Sequence, residues 1–226
     1  FKYNKCLEIR SYRPVPSVDL EQVKKAAELI NNAKRPMVLF GQGVILGDAK
    51  KEFKSFIEKA GIPSAWTILG VSSIPNEHPL NVGMLGMHGN YAPNKLTSEC
   101  DVLIAVGMRF DDRVTGKVST FAAQAKVIHL EIDPAEIDKI IKADVAVLGD
   151  CKSSLSLLTQ YVNSATHTNW LNKFKELDTE EYREVQQKEL IPDTNKKITM
   201  AEVIDALSVK TNGEAIMVTD VGQHQM

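Results

Sequence analysis

Short, predominantly apolar runs separated by turns and helix-patterned stretches constrain this chain more than any other feature: PMVLF at 36–40, Pro63 to Thr67, DVLIAVG at 101–107, KVIHLEI at 126–132 and VAVLG at 145–149. A strand that is apolar on both faces needs cover on both faces. Strands that alternate with helices join in parallel, because each helix carries the chain back to the edge where it began. The pattern predicts a doubly wound α/β fold on a parallel sheet.

The helical stretches fit between those strands. Ser17 or Asp19 can cap a helix that carries Leu20, Val23, Ala27 and Ile30 at helical spacing. Residues 49–60 form a second helix ending at Gly61, residues 134–141 a third, and Lys152 to Tyr161 a fourth. Residues 1–17, with Pro14 and Pro16, read as a linker, and the sheet domain occupies 18–165. A charged helical linker follows at 166–195, the break IPDTNKK at 191–197 marks the boundary, and a second domain starts at 196–226, where Thr199 to Lys210 forms a helix. The absent initiator Met and the end at GQHQM read as boundaries of a segment from a longer protein.

Composition removes several function classes. A net charge of -2 and a pI near 6.3 provide no field that gathers nucleic acid or an anionic membrane surface. No apolar run approaches the roughly 20 residues of a membrane helix. Cys6, Cys100 and Cys151 are scattered and odd in number, without a CxxC pair, and read as reduced structural thiols in a cytoplasmic setting.

Ligands of open parallel sheets bind beyond the carboxyl ends of the strands, so the informative residues should follow each strand. Gly41-Gln42-Gly43 follows the first and is either a tight turn at positive φ or a close approach to a phosphate or ring. The next glycine, Gly47, comes one residue too late for a dinucleotide fingerprint, and Thr67 stands where that fingerprint needs an acid, which argues against a hydride-carrying NAD. After DVLIAVG comes GMRFDDRVTG, with Arg109, Asp111, Asp112 and Arg113 in five residues. That run is either a phosphate-binding cluster held rigid by its own ion pairs or a surface salt-bridge cluster.

In HLEIDP, Glu131 suits a ribose hydroxyl or an adenine amino group, while Asp133 is placed to cap a helix before Pro134. Asp150 of GDC is either a helix cap or a nucleotide contact. The loop GMLGMHGNYAPN combines Gly83, Gly86 and Gly89 with Met84, Leu85, Met87 and His88, a mixture that packs either against a ring system or into ordinary core.

GMLGMHG, RFDDRVTG, HLEIDP and VGQHQM occur in this order and spacing, and on them nearly the whole chain resembles the acetolactate synthase (acetohydroxyacid synthase) family of thiamine-diphosphate enzymes. The resemblance covers that family's FAD-binding middle domain, 18–165, and the start of its thiamine-diphosphate domain, 196–226. It implies a structural, non-redox FAD held by Gly41, Gly43, Thr67, Ile68, Leu85, Gly86, Met87, His88, Gly107, Met108, Arg109, Phe110, Asp111, Glu131, Ile132, Asp150 and Cys151. Met87, Asp112 and Arg113 would line the substrate channel, and Gly222, Gln223 and His224 would touch the diphosphate of thiamine diphosphate. Gln42 departs from a frequent glycine.

The resemblance further implies condensation of decarboxylated pyruvate with pyruvate or 2-ketobutyrate, giving 2-acetolactate or 2-aceto-2-hydroxybutyrate for branched-chain amino-acid synthesis. A homodimer or homotetramer with a regulatory small subunit is the implied assembly. The activating glutamate and the GDG-type Mg2+ motif of the family fall outside this sequence, so no catalytic or metal-binding residue is assigned within it. The expectation is that this segment alone forms no acetolactate and binds FAD weakly or not at all. Alternatives are the middle domain of another thiamine-diphosphate carboligase or decarboxylase, or a non-catalytic nucleotide-binding module.

Overall fold

A computed structural model describes residues 2–3, 14–190, 197–218, 220 and 222. In chain order the elements are α1 Leu20–Asn32, β1 Pro36–Phe40, α2 Gly43–Leu46, α3 Lys50–Ala60, β2 Ser64–Trp66, β3 Asn81–Met84, α4 Tyr91–Leu96, β4 Val102–Val106, α5 Asp112–Thr115, β5 Lys126–Glu131, β6 Val145–Leu148, α6 Cys151–Tyr161, α7 Thr168–Glu181, α8 Gln187–Leu190 and α9 Met200–Lys210. A π-helical turn, Tyr182–Gln186, joins α7 to α8. The strands form one parallel sheet in the order β3-β2-β1-β4-β5-β6. This is the doubly wound α/β architecture expected from the strand pattern.

Both faces of the sheet are covered, as continuous apolar strands require. On one face Val38, Phe40, Ile104 and Ile128 meet Val23 and Ile30 of α1, Phe53, Phe56 and Ile57 of α3, and Leu155 and Leu158 of α6. On the other, Met37, Leu39, Leu103 and Val127 meet Leu96 of α4, Phe110, and Trp170 and Phe174 of α7. β1 and β4 are buried at every position and lie at the centre; β6 alternates and β3 is half-buried throughout, as edge strands should be.

Helix ends follow local chemistry. Asp19 rather than Ser17 caps α1, accepting from the Glu21 N–H at 2.9 Å. α3 ends where Gly61 turns left-handed at φ 61°. Thr199 and Glu202 form a reciprocal capping box on α9.

The fold departs from the sequence expectations in two regions, and in the first the expected loop GMLGMHGNYAPN ends early, since its residues Tyr91–Asn94 open α4. β3 runs into the start of the loop assigned to GMLGMHG: it has four residues, includes Gly83 at φ 92° and pairs irregularly with β2, so no apolar run announces it. The helix expected at 134–141 is only a 3-10 turn, Pro134–Glu136. Asp138 there adopts φ 59° and accepts from the Ala143 N–H at 2.8 Å, a side-chain turn that competes with helical continuation.

The charged segment after the sheet is anchored as well as helical. Trp170 and Phe174 are 4% and 1% exposed, their rings meet edge-on at 5.1 Å, and the Trp170 indole N–H donates to the Pro36 carbonyl at 2.9 Å. α7 therefore closes one face of the sheet. Trp170→Ala removes a buried aromatic and orphans that carbonyl; a loss of about 3–5 kcal/mol is expected. The shift in the urea midpoint measures it, and a loss under about 1 kcal/mol would contradict the packing.

Candidate functional site

The strand order reverses between β1 and β4, and their outgoing segments diverge there to leave the crevice where such sheets bind ligands. The two exits interlock at its floor. The Gly41 N–H donates to the Val106 carbonyl at 3.0 Å and the Gly43 N–H to the Gly107 carbonyl at 2.9 Å. A Cβ on Gly43 would lie 2.6 Å from the Gly107 Cα, and one on Gly41 2.5 Å from the Met108 Cβ. Neither Gly41 nor Gly43 has positive φ, so what they supply is closeness of backbone, not a left-handed turn. Gly107 supplies both, with φ 56° and a Cβ position 2.6 Å from the Cys151 Sγ.

The remaining strand ends assemble around this floor. The Thr67 N–H bonds the Phe40 carbonyl at 2.9 Å and the Leu85 N–H bonds the Trp66 carbonyl at 3.0 Å, fixing the exits of β2 and β3. Ile68, Leu69, Met87 and Ile132 expose 57%, 57%, 59% and 42% of their surface, an apolar rim suited to a flat ring. Leu85 is buried and His88 exposed.

The Gly86 loop is held to the RFDDR segment by the Met87 N–H bond to the Arg113 carbonyl at 2.7 Å. It is held to α4 by Asn94, whose side chain accepts from the Gly86 N–H at 3.1 Å and donates to the Gly86 carbonyl at 2.9 Å. Asn90 caps the Met84 N–H at 2.9 Å, and Glu181 of α7 accepts from the Tyr91 N–H at 3.0 Å. Sequence reading misses these three supports. The i, i+4 spacing of Asn90 and Asn94 was the available signal for two of them; nothing local marks Glu181.

The charged run is not the self-locking ion-pair cluster one reading anticipated. Arg109 pairs loosely with Asp111 at 3.5 Å, with 69% of the arginine side chain exposed, and such a pair contributes little stability. Asp111 serves mainly as the cap of α5, accepting from the Arg113 N–H at 3.0 Å. Among the described residues no carboxylate pairs with Arg113, whose guanidinium instead rests 3.8 Å from the Met87 Sδ. Asp112 is exposed beside it. A cation without a protein anion, against a soft apolar wall, is the arrangement that receives a small carboxylate.

Beneath that surface, Phe110 is buried edge-on to Phe121 and His129, and the His129 ring nitrogen Nε2 lies 2.8 Å from the Met108 carbonyl. Met108 is likewise buried. Glu131 bends back so that Oε1 accepts from the N–H groups of Ile132 at 2.9 Å and Asp133 at 3.2 Å, leaving Oε2 for a ligand donor. Asp133 caps the turn that follows, accepting from the Ala135 N–H.

Asp150 is the N-cap of α6, accepting from the Ser153 N–H at 3.0 Å. Burial pushes its carboxyl up, but the hydrogen bonds from Ser153 outweigh that and hold it below the usual range. Burial, aided by the Glu131 and Asp150 charges, pushes the Cys151 thiol up to about 12, so it stays a thiol at neutral pH despite its place at a helix N-terminus. Cys100 is raised to about 12 chiefly by burial; Cys6 lies outside the described residues.

Gly222 lies in a half-buried bend, and Gln223 and His224 lie outside the described residues. Among the described residues no group of three His, Cys, Asp or Glu is placed to hold a metal, and no helix is long and apolar enough to cross a membrane.

Comparison with known proteins identifies relatives of the chain. The family described as "Thiamine pyrophosphate enzyme, central domain" matches residues 23–158. A probable acetolactate synthase large subunit of Methanocaldococcus jannaschii is 40% identical over 225 residues, covering 97% of this chain and 38% of that protein. The acetolactate synthase large subunit of Corynebacterium glutamicum is 37% identical over 97% of this chain and 35% of its own length. The acetolactate synthase of Mycobacterium bovis is 36% identical over 100% of this chain and 37% of its own length. The chain thus spans well under half the length of these curated relatives.

Gly107→Ala forces a side chain into a left-handed conformation and against Cys151 and Gly43. It should cost at least about 3 kcal/mol, against about 1 kcal/mol for Gly116→Ala, where φ is also positive but the space is open. Equal losses in chemical denaturation would refute the interlock.

Burial lowers the pKa of His129, so its folded-state value lies below the unfolded value of about 6.5. The unfolded chain takes up the proton first, and stability contributed by neutral His129 falls as pH drops below about 6.5. His129→Gln should therefore lose less stability than the wild type between about pH 7.5 and 5.5, measured by urea unfolding; identical losses would exclude His129 as a source of the pH dependence.

Proposed function

This chain belongs to the thiamine pyrophosphate enzyme central-domain family, and from that premise we propose that it is the FAD-bearing middle domain of an acetolactate synthase catalytic subunit. The observation that carries the proposal is the convergence, at one crevice of the sheet, of an apolar rim, the exposed Arg109 and the inward-folded Glu131.

Those groups fit a flavin nucleotide by chemistry. Ile68, Met87 and Ile132 offer apolar contact to a ring, Arg109 a counter-charge to a diphosphate, and the Glu131 Oε2 an acceptor for a ribose hydroxyl or adenine amine. The interlocked backbone of Gly41, Gly43 and Gly107 forms the floor on which the nucleotide lies. Thr67, Leu85, Gly86, His88, Met108, Phe110, Asp111, Asp150 and Cys151 complete the assignment. Phe110, Met108, Leu85 and Cys151 are buried and act through backbone and packing. FAD has no net redox part in this reading.

The reaction joins decarboxylated pyruvate to a second 2-keto acid, pyruvate or 2-ketobutyrate, with release of carbon dioxide, in a cytoplasmic branched-chain amino-acid pathway. Thiamine diphosphate, held with Mg2+, supplies the carbanion chemistry when bound. Gly222, Gln223 and His224 are assigned to its diphosphate. This chain's part is positional: Arg113 takes the carboxylate of the acceptor keto acid in two-point geometry, Met87 forms the channel wall and Asp112 flanks it. Homodimeric or homotetrameric assembly with a regulatory small subunit belongs to the same reading.

The test uses the complete polypeptide of this reading frame with pyruvate, thiamine diphosphate, Mg2+ and FAD. Acetolactate formation is expected. Arg113→Ala should raise KM for pyruvate by roughly tenfold or more, as loss of a charged hydrogen-bonded contact implies, with FAD affinity unchanged. Absence of acetolactate, or an unaltered KM, would overturn the assignment.

A further inference from the structure

His129 is fully buried in β5, whose other buried residues are apolar except Glu131. Its Nε2 lies 2.8 Å from the Met108 carbonyl, so Nε2 carries the proton and Nδ1 is the bare nitrogen. Nδ1 is buried without a hydrogen-bond partner. A leucine here would orphan no ring nitrogen but would take this donor away from the Met108 carbonyl, so the unpartnered Nδ1 accompanies a bond that only a polar side chain can make.

What it gains is a link between two arms of the crevice. The Nε2–H holds the carbonyl of Met108, and the ring meets Phe110 edge-on at 5.0 Å. The same Nε2 lies 3.8 Å from the Glu131 Oε2, the oxygen left for a ligand. With Met108 and Phe110 both pinned inward, the residue between them, Arg109, is turned outward, its side chain 69% exposed. The segment after β4 and β5 itself supply the groups in contact with His129, and Glu136 and Asp138 of the turn after β5 add their charges nearby.

We propose that His129 is a positioning residue for the flavin nucleotide: it sets the Met108–Phe110 backbone so that Arg109 and Glu131 meet one ligand. The inference rests on the flavin reading of the crevice. His129 touches no cofactor and acts through Met108, Phe110 and their neighbour.

The experiment measures FAD affinity of the complete polypeptide by flavin fluorescence, well below each variant's melting temperature. His129→Leu should weaken FAD binding by tenfold or more. His129→Gln, whose amide nitrogen can reach the same carbonyl, should stay within threefold of wild type. Ile128→Ala, a core truncation on the opposite face of β5, serves as the stability control and should leave affinity unchanged. Wild-type affinity in His129→Leu, equal weakening in Ile128→Ala, or failure of His129→Gln to restore binding would overturn the inference. A wild type that binds no FAD would instead overturn the flavin reading beneath it.

Discussion

The contact on which the rest of this molecule depends is the backbone-to-backbone approach of the β1 and β4 exits. Gly43 donates to Gly107, and no side chain larger than hydrogen fits at either position without moving the other segment. That approach closes the bottom of the crevice exactly where the strand order turns around, so everything above it is held at the sheet's carboxyl edge. Cys151 seals the third side, and its thiol is kept protonated by the same burial that makes the joint tight.

Above the joint, rigidity comes from hydrogen bonds to main chain more than from charge. Asp111, Asp133 and Asp150 each cap a turn or helix, Glu131 folds onto its own backbone, and Asn90 and Asn94 fasten the methionine loop. This division frees the arginines: Arg109 is loosely paired and Arg113 faces Met87. A site whose acids serve the backbone can keep its cations for ligands, because a buried or half-buried carboxylate is satisfied by N–H donors as well as by an ion pair.

Much of this site was legible from spacing, because a parallel sheet places every strand's carboxyl end at one edge and residues after each strand must meet there. Gly41, Gly43, Arg109 and Glu131 were singled out that way. Asn94, Glu181 and the link from His129 to Met108 were not, since each joins segments distant in sequence or works through a buried atom that no periodicity reveals. β3 escaped notice because four half-exposed residues with a glycine carry no apolar run.

By itself, the sequence determined the layered class, the central strands and the helices that cover them, since apolar periodicity and caps are local properties. It also determined membership in the thiamine pyrophosphate enzyme family, through motifs that stand in order along the chain. Only the tertiary structure decided why Gly41 and Gly43 must be small, that the 134–141 segment turns instead of coiling, and that α7 belongs to the sheet's packing through Trp170. Those outcomes depend on which distant groups fill the space beside each residue, and that is a property of the packed molecule, not of any stretch of chain.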